Sequence, residues 1–83
     1  MPVDSLIPIE LLEAGELADV DEVSGNGAWI ARMAELGIRH GTRLKLLRQG
    51  SPCIIEIGGA RLSVRGEAGS HIYTRPLAGA AAR

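Results

Sequence analysis

The spacing of apolar residues changes once, sharply, near the middle of the chain. Trp29, Met33 and Leu36 recur at helical intervals, whereas Leu44 and Leu46 alternate with Arg43 and Lys45 as in a strand. The spacing predicts a helix over residues 28–36. Ser24-Gly25-Asn26-Gly27 leads into it, with Asn26 as N-cap, and Gly37 stops it in left-handed geometry. A strand over residues 42–48 follows, after a second glycine at 41.

Alternation marks the rest of the chain. Over residues 17–23, Ala18 and Val20 point one way, and Asp19 and Asp21 the other. Glu22 breaks the alternation and Val23 restores an apolar side chain, so a β-bulge is expected near Asp21 and Glu22. Cys53, Ile55 and Ile57 share one face of a further strand. Gly58-Gly59 is a two-residue hairpin signal, and Leu62 and Val64 face inward over residues 60–65. One helical turn is expected over residues 66–70 and a last strand over 71–74. Ahead of all this, Pro8 suits the first turn of a short helix carrying Ile9, Leu11 and Leu12 and ended by Gly15. The predicted class is mainly β: a small SH3-like β-barrel of about five strands with one inserted short α-helix.

Composition narrows this further. Eighty-three residues make one domain, expected over 1–75, with an Ala/Gly-rich flexible tail over 76–83. The chain is 46% hydrophobic but holds only two aromatic residues, Trp29 and Tyr73, so its core must be aliphatic. One cysteine, Cys53, allows no internal disulfide and points to a reducing compartment. The start, Met1-Pro2-Val3-Asp4-Ser5, lacks the pattern of a secretory signal, and no apolar run nears the ~20 residues that span a bilayer. The expected location is the cytoplasm, with no membrane insertion.

The net charge of −1 conceals a split. Residues 1–25 hold seven acidic residues and no Lys or Arg, and all nine basic residues lie from Arg32 onward. Strand pairing can bring the two signs together as ordinary surface ion pairs. Left apart, they would steer a partner or join acidic face to basic face in a homo-oligomer.

Candidate chemistry is sparse. No P-loop, no nucleophile elbow and no Cys-His motif occurs, so no enzyme is expected and no catalytic residue is assigned. Cys53 on an apolar strand reads as packing. Two histidines, His40 and His71, are too few for a transition-metal site within one molecule. A site shared between molecules needs only two ligands from each, and His71 with Glu67 is the pair that could supply them. Trp29 reads either as a lid over one barrel end, packed with Met33, or as an exposed partner contact. Arg32, Arg39 and Arg43, which follow it in the chain, complete a candidate partner-binding set. Nucleic acid is not an expected partner: the sequence pI is about 6.1 and the hairpins carry no aromatic stacking platform.

The ordered motifs resemble the FeoA family, whose domain also occurs at the C-terminus of DtxR-type repressors. Leu11, Leu12, Gly15 and Glu16 resemble its opening. Ala18, Val20 and Val23 resemble its first strand. Arg32-Met33, Leu36-Gly37-Ile38 and Gly41 resemble its helix and glycine step, and Arg65, Glu67-Ala68 and Ile72 its close. Met33 stands where Leu is more usual, a volume-conserving exchange. The resemblance spans about residues 6–74. It implies a non-enzymatic accessory protein of ferrous iron uptake that requires no cofactor and binds the cytoplasmic part of the GTPase-permease FeoB. The alternative is a metal-responsive regulatory module that binds Fe²⁺ or Zn²⁺ itself, at a site shared between molecules.

Overall fold

The computed structural model describes residues 6–77. Among these residues six strands form one antiparallel sheet: β1 (Ile7–Pro8), β2 (Leu17–Ser24), β3 (Arg43–Arg48), β4 (Cys53–Ile57), β5 (Ala60–Val64) and β6 (His71–Pro76). Their order is β1-β6-β2-β3-β4-β5, so β1 and β5 are the edges and the barrel is not closed. One helix, α1 (Gly27–Glu35), is inserted between β2 and β3. The fold is SH3-like, as the spacing predicts, with one strand more than expected.

The extra strand is β1. The expected short helix is a 3-10 helix, Ile9–Leu11, and Pro8 is its N-cap rather than part of its first turn; Ile7 and Pro8 themselves pair with Thr74 and Tyr73 of β6. An edge is where a strand tolerates proline, since its missing N–H breaks no ladder. Thr74, fully buried, donates its hydroxyl to the carbonyl of Ile7 at 2.8 Å and ties this edge down. The expected helical turn over 66–70 is instead a loop closed by one bond, from the Ser70 N–H to the Glu67 carbonyl at 2.9 Å.

The bulge falls where the broken alternation places it. The β2–β6 register slips between Val20 and Glu22. That slip lets Ala18 and Val20 stay buried while the strand bends. The last strand runs two residues further than expected, because β6 pairs Pro76 with Ala18. The N–H of Leu77 also donates to the carbonyl of Leu17 at 3.0 Å. Pro76 therefore belongs to the sheet and Leu77 is bonded to its neighbour β2, and the rest of the expected tail, 78–83, lies outside the described residues.

Helix α1 begins at Asn26, whose Oδ1 accepts from the backbone N–H of Ala28 at 2.8 Å and of Trp29 at 3.2 Å. It ends in a Schellman motif. The Gly37 N–H bonds the Ala34 carbonyl at 3.0 Å and the Ile38 N–H bonds the Met33 carbonyl at 2.9 Å. Gly37 has φ +94°, and Met33 and Ile38 are both buried at the joint. The joint is then bound onto β2. Val20 donates to the Thr42 carbonyl and Gly41 donates to the Val20 carbonyl, both at 2.8 Å. The core joins Leu12, Ala18, Val20, Ile38, Leu44, Leu46, Ile55, Val64 and Ile72 beneath Trp29 and Met33 of the helix.

Candidate functional site

The helix and the far edge of the sheet do not meet directly along their length. A groove of about 390 Å³ runs between them, lined by Trp29, Arg32, Met33 and Leu36 from α1. Ser63, Arg65, Gly66 and Glu67 form its other wall. The apolar floor comes from the buried face of α1, because Trp29 and Met33 are one helical turn apart. Leu36, 39% exposed, lies at the helix end of the groove. Arg32 and Arg65 supply two cations and Glu67 one carboxylate.

This arrangement corrects one sequence expectation. Trp29 is only 4% exposed, so it is not a projecting contact residue. It packs over the core with Met33, and its accessible edge is part of the groove wall. Trp29 also borders a smaller cavity of about 70 Å³, lined as well by Ile9, Cys53, Val64 and Ile72. Burial pushes the Cys53 thiol above its ordinary pKa, as expected of a packing cysteine and not of a nucleophile.

The three arginines assigned with Trp29 do not form one cluster of free charge. Arg43 Nε lies 2.9 Å from Asp19 Oδ1 across the β2–β3 pair. The hydrogen bond from Arg43, with the Arg43 charge behind it, holds the Asp19 carboxyl below the usual carboxylate range. Arg39 donates from Nη2 to the carbonyl of Ala34 at 2.8 Å, near the end of α1. Arg32 alone of the three lines the groove.

A second ion pair, Arg75 Nη2 to Asp21 Oδ1 at 3.0 Å, crosses β2–β6. Strand pairing thus brings acidic N-terminal positions onto basic C-terminal ones, the plainer of the two readings of the charge split.

His71 and Glu67 are both exposed, at the start of β6 and in the loop before it. The His71 ring stacks at a tilt on Tyr73, with centroids 5.6 Å apart. His40 is engaged elsewhere, its Nδ1 donating to the Asp21 carbonyl at 2.7 Å. Among the described residues, no group of three or more His, Cys, Asp or Glu converges on one point.

Sequence reasoning missed the wall opposite the helix. Ser63 and Gly66 carry no local signal of a groove, and Arg65 stood out only as a family position. The signal that could have found them is the strand order, which leaves β5 without a neighbour on one side.

A small SH3-like β-sheet with one inserted helix and a groove beside it is the class of domain that the fold defines. The family model described as FeoA domain matches residues 7–76, and the chain belongs to the FeoA family. A crystal structure of an iron uptake regulatory protein (FeoA) superposes with a TM-score of 0.78 at 20% identity, covering 88% of this chain and all of that one. The solution NMR structure of the FeoA protein from Chlorobium tepidum gives a TM-score of 0.77 at 32% identity, covering 88% of this chain and 72% of that one. No curated protein matches the chain. Membership carries a role in ferrous iron transport, as an accessory domain from a family not known for enzymes. No helix among the described residues is long and apolar enough to cross a membrane.

Proposed function

We propose that this protein is a non-enzymatic, cytoplasmic accessory protein of ferrous iron uptake that docks onto the cytoplasmic part of the FeoB GTPase-permease. Docking biases the transporter's conformational cycle or its assembly. The observation that carries the reading is the FeoA match along nearly the whole described chain. The groove beside α1 supports it, because the groove offers a surface and no chemistry: an apolar floor, two arginines and one glutamate.

The reading predicts that the purified protein binds the isolated cytoplasmic domain of the transporter, with an affinity that differs between nucleotide states. Titration calorimetry with and without guanine nucleotide measures this. Absence of binding in every state, together with unchanged iron uptake on deleting the gene, would overturn it. In the same reading, His71 and Glu67 serve no obligatory metal, and Fe²⁺ is the transporter's cargo. His71→Ala should leave docking unchanged.

A further inference from the structure

Among the described residues, β5 pairs with β4 on one side and with no strand on the other. Which of its backbone groups face outward follows from the hairpin. Gly58 and Gly59, at φ +57° and +86°, make a two-residue turn of the type that matches strand twist. Ile57 and Ala60 flank it as the first registered pair and exchange both backbone bonds. Alternation then makes Ile55–Leu62 and Cys53–Val64 the other bonded pairs. The N–H and C=O groups of Arg61 and Ser63 therefore point away from β4. No described residue hydrogen bonds to either of them. Both residues are exposed.

This free edge borders the groove. The pleat puts Leu62 and Val64 on the core side, and Arg61 and Ser63 on the outer side. Arg65 follows β5 directly and lines the groove. Neither Arg61 nor Arg65 forms an ion pair among the described residues, although Arg61 lies opposite Glu56 in register. A strand added here would place alternate side chains on the groove side, with Trp29, Met33 and Arg65, and the others beside Arg61.

We infer that β5 takes an extended segment of a partner protein by strand addition, and that this segment alternates apolar with acidic residues. Backbone bonds to Arg61 and Ser63 supply affinity, the groove takes the apolar side chains, and Arg61 and Arg65 pair with the carboxylates. A second copy of this chain is a poorer occupant. Antiparallel pairing centred on Arg61 or on Ser63 sets arginine opposite arginine, which disfavours it. The inference rests on the docking role above only for the identity of the partner, and its test uses a free peptide.

The probe is a short synthetic peptide alternating glutamate and valine, followed by NMR of the labelled full chain. The expected result is amide shifts and exchange protection centred on Arg61 and Ser63, with binding that weakens as salt rises. Ser63→Pro removes an outward N–H and breaks no bond to β4, so the fold should survive while affinity falls about tenfold or more. Arg61→Glu with Arg65→Glu leaves the backbone intact and should abolish preference for the acidic peptide over its lysine–valine counterpart.

No binding overturns the inference, as does binding that both folded variants retain. Sedimentation showing a dimer that Ser63→Pro dissociates also overturns it, in favour of a second copy. Transporter-domain binding of the unmodified chain separates the two proposals: transporter binding without peptide binding overturns this inference and leaves the docking role, and peptide binding without transporter binding does the reverse.

Discussion

At the scale of single residues, two glycines with left-handed backbone make different demands. Gly25 has φ +126°, and a Cβ there would run into Ser70 Oγ and lie 2.6 Å from Ser70 Cα. The loop before α1 thus lies directly on the buried Ser70, whose Oγ also accepts from the Asn26 N–H at 3.3 Å. Gly37 has φ +94° with nothing within 4 Å of an added Cβ, so its demand is backbone conformation alone. Gly37→Val should cost on the order of 1–2 kcal/mol. Gly25→Ala adds a steric clash to the same backbone strain and should cost on the order of 2–4 kcal/mol. Urea denaturation of both variants checks the order. Equal losses would mean that the Ser70 contact yields without cost.

Among the elements, α1 matters most, because it carries the groove floor. Nine residues are too few for a stable isolated helix, so its ends and its packed face must hold it. Asn26 satisfies two of its first N–H groups. Asn26→Ala should therefore destabilise the protein by about 0.5–2 kcal/mol. The loss should appear first as faster amide exchange at Ala28 and Trp29. Unchanged exchange at those two amides would show that the cap is not what orders the first turn. The helix was legible from the 29–33–36 spacing, and its true span, Gly27–Glu35, differs by one residue at each end. The two-residue β1 was not legible: it has no alternation of its own and exists only because β6 lies beside it.

For the whole molecule, charge is settled by sheet order. Residues far apart in sequence, Asp19 with Arg43 and Asp21 with Arg75, meet because β2 lies between β3 and β6. The Asp19 carboxyl titrates lower in the folded protein than in the unfolded chain. Its contribution is therefore fully present above the unfolded carboxylate range, about pH 4, and is lost as pH falls through the lower folded value. The effect is small, because the two side chains are 36% and 62% exposed. Asp19→Asn should reduce the acid-side loss of stability, and its difference from wild type should shrink as pH falls from about 7 to about 2. A difference that is the same at about pH 7 and about pH 2 would show that the pair contributes nothing through ionisation.

The sequence by itself determined the fold class, the bulge in β2, the helix with its glycine stop, the Gly58-Gly59 hairpin and the family. Each is written in local spacing or in an ordered set of residues, and each is a property of neighbours in the chain. Only the tertiary structure decided that Trp29 is buried, that Arg43 and Arg39 are engaged, and that a groove opens between α1 and β5. Those outcomes depend on which elements come to lie side by side across the sheet. Packing and strand order settle that through contacts between residues distant in sequence, and no local pattern records them.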